Sequence, residues 1–109
     1  MASEVLKVGL FPVVSNSEVK LIDGTAGHTY TILSILICET AGAAETFDLY
    51  VDDNDGGTDH YIYKDQAIAA KATFEHTSKF VIEDEDHLVA KTASSAAVDV
   101  VVSYLDQTR

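Results

Sequence analysis

The amino-acid sequence predicts an all-β protein: a single antiparallel β-sandwich, jelly-roll-like, with an extended N-terminal arm. Three observations predict it. Val, Ile, Thr, Tyr and Phe make up 38 of 109 residues, and β-branched and aromatic side chains lose rotamer freedom in a helix but pack well on a pleated surface. Short runs of these residues recur with polar or glycine-containing punctuation between them, the spacing of a sandwich or barrel. No stretch shows the apolar periodicity of an amphipathic helix. The length suits one domain, and neither a repeat nor a linker divides it. Residues 1–17 are read as an arm or edge strand and residues 18–109 as the sandwich.

The elements follow in order. Residues 4–14 alternate loosely through Val5, Leu6, Val8, Leu10 and Phe11. Pro12 offers no ladder hydrogen bond, which confines this segment to a sheet edge or an arm. A short strand at 19–22 ends in Asp23-Gly24-Thr25-Ala26-Gly27, a turn whose glycines accept positive φ. Residues 28–39 make the longest strand. Strict alternation puts Tyr30, Ile32, Ser34, Leu36 and Cys38 on one face and Thr29, Thr31, Leu33, Ile35 and Ile37 on the other. Both faces turn apolar in its second half, as in a strand central to the core. Residues 45–51 place Phe47, Leu49 and Val51 inward and Thr46, Asp48 and Tyr50 outward. Residues 60–64 set Tyr61 and Tyr63 on one face against Ile62, and 66–71 suits either a helical turn or a strand. Strands at 73–77, 79–82, 87–92 and 97–105 complete the chain.

The charge narrows the function. Seven Lys and Arg stand against 18 Asp and Glu, a formal net charge of −11. The cations are scattered singly, and Arg109 is the last residue. Displacing counterions from a phosphate backbone needs clustered cations, so no nucleic acid is expected as a partner, and an anionic membrane surface is disfavoured for the same reason. The N-terminus lacks the basic and apolar stretches of a signal peptide, and no window reaches the ~20 apolar residues of a membrane helix. Cys38 is the one cysteine. With no cation beside it in sequence, it reads as a small buried hydrophobe and not as a reactive thiol.

Few constellations carry chemistry. The loop Asp52-Asp53-Asn54-Asp55-Gly56-Gly57-Thr58-Asp59 has the oxygen donors that Ca²⁺ takes, with Asp52, Asp53, Asp55 and Asp59 as candidate ligands. It matches no EF-hand register, and its Asp, Asn and Gly content equally makes a hairpin loop. Glu83-Asp84-Glu85-Asp86 is a charged turn of the same kind. His28, His60, His76 and His87 are far apart in sequence, and no His-x-His pair offers a metal site. Ser34, Ser94 and Ser95 lie in no nucleophile elbow. The sequence therefore points to no cofactor and no enzyme.

From residue 19 to the C-terminus the pattern resembles small β-sandwich virion proteins of tailed bacteriophages. The residues that carry the resemblance are the long apolar strand ending Ile35-Leu36-Ile37-Cys38-Glu39-Thr40 and the Thr-Phe-Asp-Leu-Tyr-Val strand from Thr46 to Val51. The acidic glycine loop, the Tyr-rich strand after it and the closing Val98-Asp99-Val100-Val101-Val102-Ser103-Tyr104-Leu105 follow in the same order. The resemblance implies a structural role: a capsid decoration (cement) protein on the outer surface of the virion, or a small tail or neck component, made in the bacterial host cytoplasm. It implies the major capsid protein or other virion subunits as partners, and a homo-oligomer, with trimers around symmetry axes. Val5, Leu6, Val8, Leu10 and Phe11 are the expected partner-binding residues, extending onto a neighbouring subunit or the shell by sheet augmentation. The reading from a different class is a receptor-binding module that recognises carbohydrate on Tyr61 and Tyr63, assisted by Ca²⁺ in the 52–59 loop. In either case much of the charge falls in two turns, and the docking surface is expected where charge is absent.

Overall fold

The computed structural model describes residues 3–54, 56–94 and 97–109. Among them the chain forms nine strands: β1 Ser3–Val14, β2 Val19–Asp23, β3 His28–Glu39, β4 Glu45–Asp52, β5 Asp59–Ile68, β6 Thr73–His76, β7 Phe80–Glu83, β8 His87–Thr92 and β9 Val98–Thr108. The long sheet runs β1-β9-β3-β6, with β7 also on β3, and the short sheet runs β2-β8-β4-β5. Every pairing is antiparallel. Only the β4–β5 and β6–β7 connections stay within a sheet; the others cross between sheets, which gives the jelly-roll-like sandwich. The segment at 66–68 continues β5 as strand.

The core lies between the sheets. Ile32, Ile35 and Val102 from the long sheet meet Leu49 and Leu88 from the short one, all wholly excluded from water. Truncating one of them, as in Ile35→Ala, costs about 2–5 kcal/mol through lost transfer energy and a cavity.

Strict alternation along β3 fails at one place, and this decides which face is which. Ile32 pairs with Tyr104 and Ser34 with Ser103, so Leu33 is an extra residue. A bulge of one residue turns the rest of the strand over. Tyr30 and Ile32 face inward before it; Ile35, Ile37 and Glu39 face inward after it. Leu36 and Cys38 are thereby turned to the outer side, where Leu36 is exposed and Cys38 half-buried rather than buried.

A similar device splits the two tyrosines of β5. Tyr63 pairs with Leu49 and Tyr61 with Tyr50, leaving Ile62 as the extra residue. Tyr63 packs inward against Phe47 and Phe74, while Tyr61 lies outside over the outward but buried Tyr50, ring centroids 4.9 Å apart. The expected single tyrosine face does not form. A second irregularity at Asp65, whose φ is 53°, breaks β5 again.

Residues 3–14 take the edge-strand form of the two expected for them. β1 pairs with β9 from Ser3↔Thr108 to Phe11↔Val100 without interruption. Pro12 and Val13 then bulge out before Val14 rejoins Val98 and enters the core.

Candidate functional site

The pairing registers bring the outward side chains of β1, β9, β3 and β7 into rows. Leu6, Leu105, Thr31 and Val81 share one row; Val8, Ser103 and Ser34 the next; Leu10, Val101 and Leu36 the third. None of these residues is charged. The first acids stand at the borders: Glu4 and Glu83 in the row beyond one end, Asp99 in the row beyond the other, and Glu75 of β6 beside Leu36 in the third row. Leu6 is 71% exposed, Leu10 67%, and Val8 and Val81 57% each. At the β1 bulge, Leu10, Phe11, Pro12, Asp99, Val100 and Val101 line a shallow groove. The face is thus uncharged, with Thr31, Ser34 and Ser103 among its apolar side chains, on a chain of net charge −11.

Of the five sequence-predicted partner-binding residues, Leu6, Val8 and Leu10 lie on this outer face. Val5 and Phe11 point to the inner side; Phe11 packs on the core, whereas Val5 stays half-exposed where the short sheet does not cover it. Sequence reading missed Leu36, Val81, Val101 and Leu105 as members of the same patch. The signal was present: Val100-Val101-Val102 and Ile35-Leu36-Ile37 are apolar on both faces, more than one core face requires.

The acids gather elsewhere. Asp52 and Asp59 face each other across the β4–β5 hairpin. Asp53 Oδ1 accepts from the Thr58 N–H at 2.8 Å, and its Oδ2 lies 2.8 Å from His60 Nε2. The His60 hydrogen bond, then the Thr58 amide, hold the Asp53 carboxyl below the usual range. Asp52 Oδ1 accepts from the Gly56 N–H at 3.2 Å. These carboxylates thus cap their own loop, the hairpin arrangement. Asp55, another candidate cation ligand, lies outside the described residues, as does Ser95. Among the described residues, no group of three or more His, Cys, Asp or Glu is placed to hold a metal ion.

The two acidic turns share one end of the sandwich. The Asn54 N–H donates to Asp86 Oδ1 at 3.2 Å. Arg109 pairs with Glu83 and Asp84, and Asp84 also accepts from the Gly27 N–H. Gly24 makes the closest approach: a Cβ there would run into the carbonyl oxygens of Asp84 and Asp86.

The other three histidines hydrogen-bond parts of the chain distant in sequence or adjacent in a turn. His76 accepts from Tyr63 Oη at Nδ1 (2.8 Å) and donates from Nε2 to the Ser78 carbonyl (2.6 Å). His87 Nδ1 accepts from the Gly24 N–H at 3.1 Å. His28 Nδ1 lies 2.7 Å from Asp106. At the far end from the acidic turns, the buried Glu39 carboxylate accepts from the N–H groups of Ala41, Gly42, Ala43 and Lys71. That ties the β3–β4 and β5–β6 loops together.

No family model matches the chain, and no curated protein matches it in sequence. Solved structures do match. A subunit of the disulfide-linked pili of Bacillus endospore appendages superposes with a TM-score of 0.59 at 11% identity, over 99% of this chain and 90% of that one. A capsid protein of Helicobacter pylori bacteriophage KHP30 superposes with a TM-score of 0.53 at 13% identity, over 100% of this chain and 99% of that one. The VP2 subviral particle of infectious bursal disease virus gives 0.54 at 12%, over 99% of this chain but only 37% of its own. These similarities establish the fold. All three neighbours are proteins that build repeated assemblies.

Proposed function

We propose that the chain is a structural virion protein, a capsid decoration (cement) protein that binds the outer shell through the uncharged face of the long sheet. The observation that carries this reading is the contrast on one small molecule: three rows of apolar and small side chains without a charge, on a chain of net charge −11. Its likeness in fold to the KHP30 capsid protein and the bursal disease virus particle supports a place in a shell. The role is non-catalytic. The acidic end, held together by Asn54–Asp86 and Arg109, borders the docking face at Glu83 and keeps a repeated subunit soluble. The shell contact is burial of Leu6, Leu10 and Leu36; full burial of an exposed leucine contributes about 1.5–3 kcal/mol, and Leu36, 36% exposed in the free chain, contributes less.

The test is incorporation. The chain is expressed during infection by the phage that carries it, as wild type and as the double variant Leu10→Lys/Leu36→Lys, and the purified particles are analysed by mass spectrometry. Wild type in the particle and loss of the variant, with its melting temperature unchanged, is the expected result. Absence of the wild-type chain from particles overturns the virion reading. Equal incorporation of the variant overturns the docking face.

A further inference from the structure

The four sheet edges are not alike. β2 is five residues long and bulged. β6 and β7 have four residues each. β5 is broken twice against its partner. β1 alone, among the described residues, presents a long edge with an unbroken ladder behind it, from Ser3 to Phe11. Edges are usually guarded by bulges, prolines or inward charges. Here Pro12 and the bulge guard only one end, and the inward charge, Lys7, is drawn back onto Asp106 of β9 at 2.8 Å.

We propose that β1 pairs with β1 of a second copy of this chain, antiparallel about a two-fold axis through Val8, joining two long sheets into one. A two-fold normal to a sheet pairs residues of like face, so it must pass through a residue rather than between two. An axis at Lys7 sets two ammonium groups opposite each other. An axis at Leu6 puts Glu4 against Val8 and sets Leu10 opposite residue 2, outside the described residues, and an axis at Gly9 runs Val5 and Leu6 onto the Pro12–Val13 bulge. The axis at Val8 pairs Val8 with itself and Leu6 with Leu10 on the outer side. On the inner side it pairs Val5 with Phe11 and Lys7 with Gly9, which has no side chain. No acid meets an acid along the seam, which two chains of charge −11 require. The half-exposed Val5 gains the cover that the short sheet does not give it. The edge geometry thus gives a two-fold assembly in place of the trimer that the family resemblance implies. It is independent of what the outer face docks on.

The test uses the purified full chain in sedimentation equilibrium. Wild type is expected to sediment at twice the chain mass; a monomer or a trimer overturns the proposal. Val8 is exposed, so Val8→Lys and Val8→Glu keep the fold, which a melting curve checks. Each variant alone is expected to dissociate about tenfold or more readily than wild type, because like charges then face each other across the axis. An equimolar mixture of the two is expected to recover the dimer. A mixture as weak as either variant, or a single variant as tight as wild type, places the contact elsewhere and overturns the pairing. Particle incorporation does not enter this readout.

Discussion

Lys7 on the edge strand reaches Asp106 on β9, Nζ to Oδ2 at 2.8 Å, while His28 holds the other carboxylate oxygen at 2.7 Å from β3. One buried carboxylate therefore fastens three adjacent strands of the long sheet. Asp106→Asn keeps the shape and removes the charge. It is expected to cost about 1.5–3 kcal/mol, the range for a lost hydrogen bond to a charged group. Amide exchange in β1 should accelerate more than in β8, which checks that the loss falls on the edge strand.

Acid should find the same carboxylates. Burial raises the Asp106 pKa, but the hydrogen bonds from His28 and Lys7 and their charges outweigh it, and the net direction is down. The Lys71 amide, with those of Gly42, Ala41 and Ala43, lowers Glu39 against its desolvation. A depressed folded pKa gives stability that is fully present above the unfolded value, about 3.9–4.3, and lost as pH falls through the folded one. The urea midpoint should therefore hold from neutral pH down to about 5 and fall below about 4. In the double variant Asp106→Asn/Glu39→Gln the acid limb should be shallower, measured from its own neutral value.

Glu39 carries a separate structural consequence. Glutamine at this position has one carbonyl oxygen and an NH₂ facing four backbone donors, so donors are left opposed to a donor. Glu39→Gln is expected to lower the melting temperature at neutral pH and to speed exchange at Ala41, Gly42 and Lys71. Protection unchanged at those three amides contradicts the clasp.

Val13 sits at φ 56°, in the left-handed region, with its N–H donating to Asp99 Oδ1 at 3.0 Å and its side chain 68% exposed. A β-branched residue there stores about 1–2 kcal/mol, and asparagine tolerates the conformation. Val13→Asn is expected to raise stability by about 1 kcal/mol in urea titration. A loss of stability indicates that the bulge is not formed in solution.

Tyr63 Oη and His76 Nδ1 join the inner side of β5 to β6 at 2.8 Å. Tyr63→Phe leaves the ring contacts and removes the hydroxyl, with an expected cost of about 1 kcal/mol.

Element order and sheet character were legible because they depend on composition and on short-range alternation. His28–Glu39 and His87–Thr92 are strands with the bounds expected of them. Facing was legible only up to the first bulge. Nothing local marks Leu33 or Ile62 as extra residues, since a bulge is fixed by the partner strand's register. The shift at Leu33 moved Leu36 and Cys38 outward, and the shift at Ile62 separated Tyr61 from Tyr63. The outer patch was half-legible for the same reason: Leu6, Val8 and Leu10 stand out in sequence, but Leu105, Val101 and Val81 join them only through pairing. Glu39 and Asp106 looked like two more acids among 18; their burial depends on loops and strands distant in the chain.

The most direct measurement is hydroxyl-radical footprinting of the chain in purified particles against the free chain at a concentration where it is monomeric. The docking face predicts strong protection of Leu6, Leu10, Leu36 and Val81 in the particle, with Tyr61 on the other sheet still labelled. Leu36 and Val81 lie away from the β1 edge, so their protection reports the shell contact and not pairing between copies. Leu36 and Val81 labelled as fully in the particle as in the free chain contradict the docking face.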